Sequence, residues 1–187
     1  MANFNEAFNR FNGIEFNSPE NVLHQNKGET GLTFYGIYKK AHPTWRGWDL
    51  IDRHIVKNHY SRVKASVSAY HDKELIGYVE DFYRVLYWDS LNLDYIKSQK
   101  MAEELFFFYL NIGDKKKVVK FAQSIIGVKV DGVLGSKTIQ ALNGFDEDVF
   151  DKEYDKKEIS HYKRLVARYP LRFTRFLKGW INRAKMI

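Results

Sequence analysis

The chain has 187 residues, 44% hydrophobic and 16% aromatic, which supports the core of one ordinary domain, or one domain with a small appendage, and excludes a disordered chain. No apolar run approaches the roughly 18 residues of a membrane span, and with no cysteine there are neither disulfides nor thiolate chemistry. The net charge of +7 is carried by the end of the chain: residues 151–187 hold eleven Lys/Arg and four Asp/Glu, with no acid after Glu158, which suits a polyanionic partner or a solvated helix face.

The opening, MANFNEAFNRFNGIEF, lacks a basic start followed by an apolar block, so no Sec signal peptide is expected. Phe4, Phe8 and Phe11, with Ala7 and Ile14, form a helical stripe over residues 4–15 that places Glu15 at a helix end. Residues 16–31, rich in Asn and Gly, read as loop. Residues 32–38, LTFYGIY, read as a short strand or hairpin arm. Residues 44–59 place Trp48, Ile51, Ile55 and Val56 on one helical face. Asp72 reads as the N-cap of a helix over 72–88 with Leu75, Ile76, Val79, Phe82, Tyr83 and Leu86 inward. Further helices are expected over 98–110, capped by Ser98 and closed by Asn111 and Gly113, over 115–126, and over 137–142, capped by Ser136. Two more helical stripes flank Pro170. The reading is mainly α, with one small extended region near residue 35.

Several chemistries find no support. The six histidines include no HExxH and no His pair sharing a face with a carboxylate, so no metal or other cofactor is expected. GETGLTFYG matches neither a P-loop nor a dinucleotide fingerprint, and no GxSxG elbow is present. No nucleic-acid module is recognisable. Glycoside hydrolysis fits best, because it needs a carboxylic acid whose pKa an apolar setting raises. Glu15, between Ile14 and Phe16, can supply it or can be an ordinary helix-end glutamate. Glu20, Glu29 and Asp49 are nearby second carboxylates. The spacing Glu15–x8–His24–x5–Thr30 also mimics that of phage-type lysozymes, with His in the middle place.

The chain resembles glycoside hydrolase family 108. FNEAFNRFNGIE (4–15) is similar to that family's Phe-containing opening helix leading to Glu-Gly-Gly-Tyr, and residues Gly28 to Thr33 and Gly36-Ile37 to its Gly-Gly-x-Thr loop and Gly-Ile segment. YWDSLNLDYIKSQKMAEELFFFYLNIG (87–113) resembles its central stretch. Gln123, Asp131, Gly132, Gly135, Thr138, Gly179, Trp180 and Arg183 match hallmarks of the family's predicted peptidoglycan-binding region. Phe16-Asn17 depart from the Gly-Gly after the acid, and Ser136 from the usual proline.

The resemblance implies an N-acetylmuramidase (lysozyme-type, EC 3.2.1.17) with a lysozyme-like helical fold and a small hairpin near residues 28–38. The muramidase region would span 1–113 and a helical peptidoglycan-binding region 114–187, packed as one unit. Glu15 carries over as the catalytic acid. Its partner stays open among His24, Glu29, Thr30 and Thr33, with Glu29 and Thr33 taken as catalytic and His24, Thr30, Tyr35 and Trp88 as substrate-binding. Tyr35 reads equally as a packing residue, and Trp88 reads more readily as core than as a sugar contact. The expected substrate is the peptidoglycan glycan strand, cut in the bacterial cell wall by a protein made in the cytoplasm, acting as a monomeric phage or prophage endolysin without membrane insertion. A non-catalytic wall-binding or secretion-accessory protein on the same fold and a lytic transglycosylase are the alternatives.

Overall fold

The computed structural model describes residues 1–186. It is mainly helical with one small antiparallel sheet, as expected of a lysozyme-like chain. The chain forms two compact units: Phe8–Val85, and Met1–Ala7 together with the chain from Leu86 onward.

The first of these contains most of α1 (Phe4–Glu15), three short strands, β1 (Leu23–His24), β2 (Thr33–Phe34) and β3 (Ile37–Tyr38), and the helices α2 (Gly47–Lys57), α3 (Arg62–Tyr70) and α4 (Lys73–Tyr83). The strands lie in the order β1-β2-β3, with Leu23 opposite Phe34 and Phe34 opposite Ile37, so one face of the sheet is a buried apolar row. β1 lies inside the stretch expected to be loop. A two-residue strand offers no alternation to read.

Helix α3 matters for the sheet. Its inward face is Ala65, Ser66 and Ala69, all 0% exposed, so periodicity of large apolar residues does not reveal it. Ser66 Oγ donates to Pro19 O at 2.6 Å and accepts from Leu23 N–H at 3.0 Å, which fastens the loop after α1 to the start of β1. In α2, Trp48 and Ile51 are buried, whereas Val56, expected inward, is exposed. Asp72 caps α4 as expected, accepting from Glu74 N–H and Leu75 N–H.

The second unit begins where α4 gives way to a π-helical turn, Arg84–Trp88. A π turn holds more residues than an α turn, so the side-chain phase shifts. Leu86, expected on the buried face, is exposed, and Trp88 is buried instead. Trp88 packs edge-on against Phe4 and Phe106, and its Nε1–H donates to Asp94 Oδ1 at 2.7 Å. α5 (Gln99–Ile112) is capped by Ser98 and closed by Gly113 in the left-handed conformation. α6 (Lys115–Ile126), α7 (Ser136–Leu142), α8 (Glu147–Arg168), α9 (Pro170–Phe173) and α10 (Leu177–Ala184) complete the unit. The cap of α7 is Gly135, not Ser136, which is the first helical residue and makes no capping bond.

The Gln123 and Asp-Gly-x-x-Gly-x-x-Thr hallmarks meet in one knot. Gln123 is 1% exposed. Its Oε1 accepts from Gly132 N–H at 2.8 Å, and its Nε2 donates to Asp131 Oδ1 at 2.8 Å, Val133 O at 3.1 Å and Thr138 Oγ1 at 3.3 Å. Gly132 has φ +80, which strains any L side chain, and a Cβ there would also lie tight against Lys116 O at 3.2 Å, so glycine is favoured. These residues thus bind the turn between α6 and α7 to α6. Gln123→Ala would strand the Gly132 N–H and is expected to cost about 2–4 kcal/mol in urea unfolding.

Candidate active site

Glu15 ends α1 and is partly exposed. Immediately after it, Phe16 joins a chain of aromatic contacts within the Phe8–Val85 unit. Phe16 meets Phe11 edge-on with centroids 5.3 Å apart and lies 4.7 Å from Tyr35. Phe11 in turn meets Tyr83 at 5.1 Å, and Tyr35 stacks on Tyr70 at 6.0 Å. The residue after the acid therefore packs on the turn between β2 and β3. Phe16 is the wedge that sets the end of α1 against this hairpin.

Tyr35 and Gly36 form the turn itself, with φ +47 and φ +76. Two successive residues with positive φ are what a two-residue hairpin turn of type I′ demands. Tyr83 Oη donates to Tyr35 O at 2.5 Å, and a Cβ on Gly36 would sit 2.7 Å from that hydroxyl. Tyr35 bears the less favourable conformation for a bulky side chain, held by ring packing and by this bond. Burial, reinforced by Tyr70, pushes the Tyr35 phenol well above its ordinary range.

His24 and Thr33 are cross-strand partners, and Thr33 also pairs with Tyr38. Directly opposed residues share a face, so His24, Thr33 and Tyr38 form a row on the side of the sheet away from Leu23, Phe34 and Ile37. His24 Nδ1 is 2.8 Å from Asn21 O. Thr33 is 5% exposed, and its Oγ1 has no hydrogen-bond partner among the described residues. Glu29 lies in the loop between β1 and β2, where Asn26 Nδ2 donates to its carboxylate at 3.1 Å and Gln25 Nε2 to its carbonyl at 2.6 Å. Thr30 beside it is exposed.

Two expected sugar contacts lie in the interior. Tyr35 is 1% exposed and Trp88 0%, so neither ring has a face on which a sugar can stack. Trp88 also belongs to the other compact unit. The hairpin signal in LTFYGIY mixes turn residues with strand residues. The buried hydroxyl of Thr33 and the anchoring role of Ser66 depend on strand pairing and on α3.

Residues 21–113 match the glycosyl hydrolase 108 family model, and residues 117–185 match that of a predicted peptidoglycan domain. Residues 21–113 are thus a glycosyl hydrolase 108 region. The two matches together support a peptidoglycan hydrolase. Among solved structures, that of Brucella abortus SagA superposes with a TM-score of 0.58 at 21% identity, over 97% of this chain and 92% of that one, a likeness of fold. No curated protein matches the sequence. The matched hydrolase stretch contains His24, Glu29, Thr30, Thr33, Tyr35 and Trp88, whereas Glu15 lies before its start.

Tyr83→Phe removes the bond that pins the hairpin turn while keeping the ring. It is expected to cost about 1–2 kcal/mol and to accelerate amide exchange at Gly36 and Ile37 more than in α2.

Proposed function

We propose that this protein is a family 108 N-acetylmuramidase that cuts peptidoglycan between N-acetylmuramic acid and N-acetylglucosamine, with Glu15 as general acid. The observation that carries the reading is the placement of Glu15. It ends α1 one residue before the Phe16 wedge, against a hairpin whose other face is polar. Glu15 protonates the glycosidic oxygen as the bond to the anomeric carbon breaks. Glu29 is the second carboxylate and orients the attacking water, while Thr33, whose hydroxyl is buried without a partner among the described residues, acts through the packing of β2 rather than on the water. His24 and Thr30 contact the glycan. Tyr35 supports the site from within the fold rather than touching sugar, and Trp88 is a packing residue of its own unit.

In this reading residues 1–113 form the muramidase region and 114–187 the peptidoglycan-binding region. The protein works as a monomer on the cell wall, in lysis by a phage or prophage, and is antibacterial when applied to exposed wall. No helix among the described residues is long and apolar enough to cross a membrane.

Glu15→Gln keeps the shape of the side chain and removes its proton. Release of reducing sugar from purified peptidoglycan is expected to fall by roughly 10²–10⁴ in kcat, with an unchanged melting temperature. Undiminished turnover would overturn the assignment of the acid. Mass spectrometry of wild-type products should show reducing muramic acid ends; anhydro-muramic ends would identify a lytic transglycosylase instead.

Thr33→Val replaces a buried, unpartnered hydroxyl with a methyl group. Stability is expected to hold or rise slightly, because the variant removes an uncompensated buried polar group. Turnover should stay close to that of wild type, because the hydroxyl does not reach solvent, and a large loss of rate at unchanged stability would put it on the attacking water instead.

A further inference from the structure

Helices α5 and α8 face each other with acids where apolar residues are expected. Glu104 on α5 is 1% exposed. Opposite it, Asp151, Asp155 and Glu158 succeed one another along α8 at spacings of four and three, which puts them on one helical face. One carboxylate oxygen from each of Glu104, Asp151 and Asp155 lies within 4.8 Å of the others.

That span is about the diameter of a calcium coordination shell, whose oxygens sit roughly 2.3–2.6 Å from the ion. Both Glu104 oxygens are buried without a hydrogen-bond donor, and so is Asp155 Oδ1. Asp151 comes close to Glu104, yet two ionised carboxylates have no hydrogen to share. The basic groups stand at the edge: Lys100 Nζ is 3.0 Å from Asp151 Oδ2 and 3.5 Å from Asp148 Oδ1, Lys185 acts on Asp155, and Arg183 on Glu158. The charges felt at Glu104 itself are those of Glu158, Asp155 and Asp151, all acids. Such a buried carboxylate is costly unless a counter-charge reaches it.

We propose that Glu104, Asp151 and Asp155 bind one divalent hard cation, which ties α5 to α8 within the C-terminal part of the chain. An all-oxygen donor set favours calcium, magnesium or manganese over zinc or copper. Waters complete the shell on the side where Asp151 and Asp155 are partly exposed. The site is structural, and it is separate from the residues proposed for glycan cleavage.

The full chain, stripped with EDTA, is titrated with Mn²⁺ and with Ca²⁺ by calorimetry, and thermal unfolding is followed in parallel. One saturable site per chain is expected, with Tm rising by roughly 5–10 °C at a hundredfold excess over Kd. Glu104→Gln and Asp155→Asn should each weaken binding roughly tenfold or more. Asp148→Asn, which changes an exposed partner of Lys100, should leave it intact. Should Glu104→Gln fail to fold, the partly exposed Asp155→Asn carries the test. Absence of saturation up to roughly 10 mM of either metal, or equal affinity in wild type and both ligand variants, overturns the proposal and leaves shared protons as what neutralises the cluster.

Discussion

The contact between Phe16 and the Tyr35–Gly36 turn is the constraint on which the candidate site depends. A helix end and a small hairpin have no backbone hydrogen bonds that join them by default. Here the join is made by rings: Phe16 bridges Phe11 and Tyr35, and Tyr83 reaches the Tyr35 carbonyl from behind. Aromatic pairs at these separations add about 0.5–1.5 kcal/mol each beyond the area they bury. Because the same rings contact both the helix and the turn, the position of Glu15 relative to the hairpin is set by packing. A flexible Gly-Gly after the acid would leave that setting to other contacts. Phe16 supplies it directly.

The sheet needs a second anchor, and Ser66 provides it. Three two-residue strands are marginal on their own. Phe34 at their centre is 0% exposed, and Ser66 holds both the entry loop and the start of β1 through its single hydroxyl. The polar row His24–Thr33–Tyr38 keeps its orientation because a slip of one residue would turn it into the core.

How much of this is legible in the residues alone depends on the length scale of each signal. The stripe of Phe4, Phe8 and Phe11 spans two helical turns, so α1 and its terminal Glu15 are legible, as are the Asp72 and Ser98 caps. Signals of one or two residues are not. β1 has no alternation, α3 hides its inward face in Ala65, Ser66 and Ala69, and the π turn at Arg84–Trp88 shifts the phase so that Leu86, expected inward, is exposed. The pattern of LTFYGIY puts Tyr35 at the hairpin, but only its burial and its contacts with Phe16 and Tyr70 show that its ring turns inward.

The acids of α8 show how a charge count can conceal its own arrangement. The segment from residue 151 is strongly basic, yet Asp151, Asp155 and Glu158 turn toward α5 while Lys152, Lys156, Lys163 and Arg164 are exposed. These two populations act in different media. The outer charges are screened over about 8 Å at physiological salt, so an approaching anionic polymer meets the basic face and little of the acids beneath. The inner charges lie where the effective dielectric is lower and each uncompensated carboxylate raises the energy of its neighbours. Asp155 is pushed up to about 6 by its own burial and by Asp151. A helix with its acids inward and its bases outward thus presents positive charge to solvent while concentrating negative potential against Glu104. Neutralising that inner row is a requirement of folding α5 against α8, and it is independent of whatever the basic face binds.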